Sequence, residues 1–433
     1  MSGAARELRV KRLARAVEAC SSERSMKPAL ALLASLATAC GSSAGDASRP
    51  NPTGRPTATA AEKPALDALA RGDFAGAGAA ADEVLKRTPD AARAAAVRAV
   101  SRYQAAVILL TGRFERLEKM FEGSAPAQFD GELRSALLEA DAALVAVDRD
   151  LEIAEADPSF AIEICLACWK YDWTGDKEIN ERDIHMLEIE FDAQGNELPE
   201  GDPRRRPTFR VDHGDVIWAR ASIAFQRSIL HMAAAYQWSA LASLKDKEPT
   251  VLRIPLSHKE DAVKAGELAL AALDHAERCR QAYLAETDDD REWVPNPHQN
   301  SHPVPLEVDA RLYETWGGAL ADLRDLVRGE TGVPLGELAA LAPEYRGPVD
   351  LGYLDVGRIF SEPRDIVIEV AAFEQIERMR DNPKPVLKSF LGGLWREKMK
   401  PSPIVGRGRA ARDSLMRGEQ TLDRKLRYLF WFN

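Results

Sequence analysis

From residue 64 to residue 327 the apolar side chains of this chain keep returning at intervals of three and four, and that period restricts the fold more than any other feature. Residues so spaced lie on one face of an α-helix, so the chain must bury a series of helical stripes against one another. Leu66, Leu69 and Ala70 share a face, and Gly72-Asp73-Phe74 then breaks the run. Ala77, Ala81, Val84 and Leu85 mark a second helix that stops before Pro89, weakened in its first turn by Gly76 and Gly78. A third helix over 90–111 carries Ala94, Val97, Val100, Ala105 and Leu109, and a fourth over 130–156 carries Leu133, Leu137, Ala140, Leu144 and Val147. Two long helices form the centre. The one over 214–244 is apolar on most faces and therefore buried. The one over 257–285 opens on Ser257-His258-Lys259-Glu260, the pattern of a capping box. A further helix over 310–327 has Asp309 to cap its start and Gly329 near its end.

These segments predict a mainly α fold, a helical bundle or array, with limited β structure. A helix over 159–170 is expected before residue 172. Leu187, Ile189 and Phe191 alternate with Glu188, Glu190 and Asp192, a strand-like period that Gln194-Gly195-Asn196 would turn into a small hairpin. Beyond residue 330, proline and glycine punctuate shorter segments, with helices expected over 366–379 and 387–398 and an amphipathic, then apolar, tail over 422–432 that docks on the body. The layout is a signal region at 1–39, a tether at 40–62, helical regions at 63–157 and 158–330, and a C-terminal region at 331–433.

The sharpest chemical pattern is Asp172-Trp173-Thr174-Gly175-Asp176-Lys177-Glu178-Ile179-Asn180-Glu181-Arg182-Asp183. Oxygen-bearing side chains stand at the first, third, fifth, ninth and twelfth positions, and a hard cation such as Ca²⁺ takes six to eight oxygens. The segment resembles an EF-hand calcium loop, and in particular the dockerin-like variant. The resemblance implies side-chain ligands from Asp172, Thr174, Asp176 and Asp183, a backbone carbonyl from Glu178, and Asn180 directly or through water. It implies one Ca²⁺ ion, with Ile179 packed beneath the loop. Lys177 stands where the family has glycine, at a cost of about 1 kcal/mol, and Asp183 reaches less far than the usual Glu. Both departures point to modest affinity, on the order of 10⁻⁴–10⁻³ M. The competing reading is a polar turn in which Asp172 and Asp176 cap backbone amides. Asp192-Ala193-Gln194-Gly195-Asn196 begins similarly, but Leu198 and Pro203 fall where later ligands should be, so it reads as a turn. Leu69-Ala70-Arg71-Gly72-Asp73-Phe74, followed by small residues and Pro89, resembles one tetratricopeptide unit, without a second copy at the family's period.

Met26-Lys27-Pro28 leads into the apolar run Ala29 to Ala39, too short to span a bilayer, and then Cys40. This resembles a bacterial lipoprotein signal, which implies translation from Met26, lipidation of Cys40 and attachment to a membrane. Gly41 after the cysteine implies the outer membrane of a Gram-negative envelope. A buried apolar helix is the competing reading. Residues 41–62, rich in Ser, Ala, Pro, Thr and Gly, read as a tether with a reach of about 25 Å.

Net charge is −10, which does not favour a nucleic-acid surface. Cys165-Leu166-Ala167-Cys168 has a redox spacing, but the run around it reads as helix with no preceding strand, so buried thiols are expected, with a disulfide left open. The arginines of Asp202-Pro203-Arg204-Arg205-Arg206-Pro207 form a solvated loop or meet an anion. Asp288-Asp289-Asp290 places negative charge at the unfavourable end of a helix. His298 and His302 lie in a proline-rich stretch that brings them onto no common face. No Gly-x-Ser-x-Gly elbow, phosphate loop or His-Glu-x-x-His helix is present. The sequence therefore points to a calcium-binding, lipid-anchored, non-catalytic binding or scaffold module that presents its helical body to another envelope protein. The alternative is an envelope hydrolase with its site near the acidic and histidine-bearing loop at 286–302.

Overall fold

The computed structural model describes residues 58–122, 126–169, 188–192, 194–242, 251–303, 308–341, 350–369 and 383–415. The signal run and Cys40, most of the tether, the whole of 172–183 and the 422–432 tail lie outside them. The described chain is mainly helical, as its period requires. Helices α1 (Lys63–Ala70), α2 (Phe74–Leu85), α3 (Ala92–Glu122) and α4 (Pro126–Glu155) come first, each packed on the next. Alanines make this close stacking possible: Ala65, Ala77, Ala81, Ala95 and Ala99 are all buried along the shared faces. Asp73 caps α2 by accepting from the Gly76 amide at 2.9 Å. Gly76, read from the sequence only as a weakness, is what leaves room for that carboxylate, because a Cβ there would collide with it.

Strand β1 (Ala161–Ile164) pairs antiparallel with β2 (Phe209–Asp212), in the register Ile164↔Phe209 to Ala161↔Asp212. Strand β2 runs directly into α5 (His213–Ala234), which packs against both α4 and α6 (Lys259–Ala285). Helix α7 (Ala310–Arg328) lies on α6. Asp309 caps it through the Leu312 amide at 2.8 Å, and Gly329 ends it in the left-handed conformation at φ 73°, as the sequence predicts. The rest is short: β3 (Val251–Ile254) pairs with β6 (Ile366–Glu369), and β4 (Val333–Pro334), β5 (Tyr353–Leu354) and β7 (Trp395–Arg396) make a small antiparallel sheet. Helices α8 (Leu335–Ala339), α9 (Gly357–Ser361), α10 (Pro383–Leu391) and α11 (Ile404–Leu415) surround it. Among the described residues no helix is long and apolar enough to cross a membrane.

Several expectations are corrected. The helix over 159–170 is instead β1 followed by a 3₁₀ turn at Leu166–Cys168, because Ile162 and Ile164 alternate inward and find β2 as a partner. The central helix over 214–244 stops at Ala234 and resumes only as a 3₁₀ turn at Trp238–Ala242. The Trp238 indole donates to the Ala233 carbonyl at 2.7 Å, and the Ser257 and His258 amides donate to that of Ala235, so the helix end is closed by side chain and neighbouring strand. The capping box at 257–260 does not form: Ser257 turns its hydroxyl to Ala235, and His258 precedes α6 without a side-chain cap. Residues 366–369, expected in a helix, are β6, since the run Ile366-Val367-Ile368 suits a strand once β3 is beside it. The helix over 387–398 ends at Leu391, where Gly392 turns the chain at φ 50° toward β7.

At the far end of the 40–62 tether, Glu62 is buried and accepts from the Thr59 amide and hydroxyl, so the ordered body begins before α1. The 187–198 hairpin reduces to one bridge, Phe191↔Glu197. Its turn is held by Asp192, whose Oδ1 accepts from the amides of Gln194 and Asn196. The arginine loop meets an anion within the chain. Arg205 and Arg206 both reach the buried carboxylate of Glu188, at 2.8 and 2.7 Å, while Arg204 pairs with Asp202.

Candidate metal centre

Strand β2 ends at Asp212 and α5 begins one residue later, which fixes two carboxylates at a buried helix start. Asp212 Oδ1 accepts from the Gly214 amide at 2.9 Å, and Asp215 Oδ2 accepts from the Asp212 amide at 2.9 Å. Together they make the capping box that the sequence placed elsewhere. Asp215 also accepts from the Tyr283 hydroxyl at 2.7 Å, which ties the start of α5 to the end of α6. Gly214 allows this approach: a Cβ there would stand 2.6 Å from the Tyr283 ring and 2.8 Å from Glu286 Oε1.

Glu286 is the first residue beyond α6, where the backbone becomes extended. Asn296, fully buried, donates through Nδ2 to the carbonyls of Tyr283 and Glu286 and so caps α6. Between them the loop swings back to β2. The Arg210 amide donates to the Arg291 carbonyl at 3.0 Å, and Arg210 bridges to Glu292 in parallel. Arg291 itself has φ 56°, uncommon for a residue with a side chain, and this turn points Glu292 inward. One ligand oxygen each from Asp212, Glu286 and Glu292 then lies within 4.8 Å of the others. Asp212 and Glu292 are 5% and 2% exposed.

Like charge and low polarity dominate the electrostatics. Burial first, and then Asp212, Asp215 and Glu292, push Glu286 up to about 11. Burial and Asp212 raise Glu292 to about 7, with Arg210 opposing. Burial also raises Asp212, and burial together with Asp212 raises Asp215 well above the usual carboxylate range. Arg210 is the guanidinium that meets this group, paired with Asp288 and 3.6 Å from Glu292. A buried set of four carboxyls facing one guanidinium needs either protons or a cation. Glu286 Oε2 sharpens the choice, since it has neither solvent contact nor a hydrogen-bond partner. Asp212, Glu286 and Glu292 each bring one oxygen close enough to the others to share a single divalent ion.

The loop ligands expected from the sequence, Asp172, Thr174, Asp176, Glu178, Asn180 and Asp183, fall outside the described residues, as does Cys40. The acidic stretch at 288–290 proves to be engaged: Asp288 meets Arg210, and Asp289 Oδ1 accepts from the amides of Asn300 and Ser301. His298 donates its amide to Asn296 Oδ1, and neither it nor His302 belongs to a metal-capable cluster among the described residues. Asp212, Asp215 and Tyr283 were missed. The signal available for the first two was Asp212-His213-Gly214-Asp215 directly after an alternating run, a helix-start pattern rather than a ligand pattern. A second acidic group, His258, Glu260 and Asp261, is a poorer cation site, because Asp261 is already held by Arg134 at 2.8 Å and His231 at 2.8 Å. The two cysteines of Cys165-Leu166-Ala167-Cys168 form a disulfide, with Cys168 exposed, so the expected buried thiols are replaced by a surface cystine; Cys279 is the buried free thiol. No protein-family model matches this chain, and no curated protein or solved structure compared with it does so either.

Proposed function

We propose that this protein is a non-catalytic helical binding or scaffold module whose central helices are locked together by a divalent cation held by Asp212, Glu286 and Glu292. The observation that carries this reading is Glu286 Oε2, a buried carboxylate oxygen without a partner among three mutually facing carboxyls. A cation there would join the strand β2 and α5 junction to the end of α6, the two helices that form the centre of the body. Its role would be structural, because Asp212 and Glu292 are buried and the three ligands come from the junction of the two central helices. From the sequence we further propose that Cys40 carries the lipid anchor, that the 172–183 loop takes one Ca²⁺ of its own, and that the partner is another protein of the envelope. The hydrolase reading draws on one observation, that Glu292 at about 7 and Glu286 at about 11 are well separated, as an acid–base pair would be.

The test is cation titration of the full chain after chelation, followed by calorimetry and thermal melting with Ca²⁺, Mg²⁺ and Mn²⁺. The double variant Glu286→Gln/Glu292→Gln is expected to lose one binding event and its thermal shift, and Asp172→Ala/Asp176→Ala to lose a separate, weaker one. An isotherm for Glu286→Gln/Glu292→Gln that superimposes on the unaltered protein would overturn the centre.

A further inference from the structure

The disulfide between Cys165 and Cys168 is a poor structural staple. It spans only two residues, and the chain on both sides of it is already fixed by other means. On the N-terminal side, Ile164 is the last rung of the β1–β2 ladder, opposite Phe209. On the C-terminal side, Trp169 is buried edge-on against Phe74, with ring centroids 5.2 Å apart. The two sulfurs are thus held near each other whether or not they are bonded, as the Cα separation of 5.3 Å is set by the strand, the 3₁₀ turn and the tryptophan. Such a frame lowers the cost of opening and closing the bond.

Access is asymmetric. Cys168 is exposed, whereas Cys165 is half-buried with its Sγ 3.6 Å from the Arg206 carbonyl oxygen, an acceptor ready for the thiol once the bond opens. Cys279, the other cysteine among the described residues, is fully buried and its thiol is pushed well up by burial, so it does not compete. The strand that precedes the pair supplies the setting whose expected absence had argued against redox chemistry.

We propose that Cys165–Cys168 is a reversible thiol–disulfide exchange site that takes a dithiol partner. A thiolate of the partner attacks Cys168 Sγ, the Cys165–Cys168 bond breaks, and its electron pair leaves on Cys165, which is protonated by solvent. The partner's second thiolate then attacks the partner sulfur of the mixed disulfide and expels Cys168 as a thiolate, which solvent protonates. Two electrons and two protons pass to this chain, and the partner leaves as a disulfide.

Dithiothreitol serves as the probe on the folded full chain, with thiols trapped by a maleimide and counted by mass. The native bond is expected to open within about ten-fold of its rate in denaturant, with the thermal melt unchanged and reoxidation complete on removing the probe. In single variants, Cys168 left alone by Cys165→Ser is expected to react with an aromatic disulfide at least about ten-fold faster than Cys165 left alone by Cys168→Ser. A bond that opens only in denaturant, a melt that collapses on reduction, or equal reactivity of the two single cysteines would each overturn the proposal.

Discussion

Glu292 shows how one side chain can make the stability of a whole domain respond to pH in an unusual direction. A carboxyl whose pKa rises on folding still holds its proton in the folded chain while the unfolded chain has lost it. Folding then takes up a proton, and stability falls as pH rises through that window. For Glu292 the window runs from 4.5 to about 7, and for Glu286 it extends to about 11. Without a cation the protein is therefore expected to melt at progressively lower temperature between about pH 5 and about pH 8. Glu292→Gln should flatten the first part of that decline, and a divalent cation should reverse it by replacing the missing protons with fixed positive charge. Melting curves with and without chelator across this range check both. A paired surface carboxylate gives the opposite slope, so the sign alone discriminates.

At the level of elements, the joints between helices are charged as well as apolar. Asp150 on α4 is 1% exposed and accepts from Arg98 at 2.7 and 3.1 Å and from Arg102 at 2.9 Å, while Arg98 also reaches Asp82 on α2. Arg98, held between Asp150 and Asp82, thereby ties three helices together. Asp150→Ala would leave Arg98 with Asp82 alone and Arg102 turned to solvent, and denaturant unfolding is expected to show a loss of about 1–3 kcal/mol. The long helices were legible in the sequence because the spacing of Leu133, Leu137, Ala140 and Leu144 is a local property of the chain. The short strands were not. Ala161–Ile164 becomes a strand because Phe209–Asp212 lies beside it, and Ile366–Glu369 because of Val251–Ile254, partners far away along the chain. The candidate centre was half legible: an acidic 286–302 loop stood out, yet its strongest contributor, Asp212, lies more than seventy residues earlier and looks like an ordinary helix cap. Capping and ligation use the same side chain, and only the fold tells which oxygens converge.

The described helices form a serial stack in which each long helix rests mainly on its neighbours in sequence. Stability in such a stack is uneven, because end elements are covered on fewer sides. Helix α5 is covered by α4 and α6 together, while α1 rests on α2 and α3 at one end. Amide hydrogen exchange under native conditions is expected to be slowest in α5 and α6 and fastest in α1, and addition of a divalent cation should slow α5 and α6 further without changing α1. Uniform protection across all helices would show instead a single cooperative unit.

The β3–β6 ladder reaches across this stack, with Val251 opposite Glu369 and Ile254 opposite Ile366, and Arg253 gripping Asp365 at 2.6 Å beside it. Everything between those stretches is thus fastened at both ends, like a length of cord with a knot at its neck. Outside the 286–302 stretch that carries Glu286, Glu292 and Asn296, residues gained or lost inside that span change the size of the noose without untying it, and the chain from residue 366 onward stays attached to the middle.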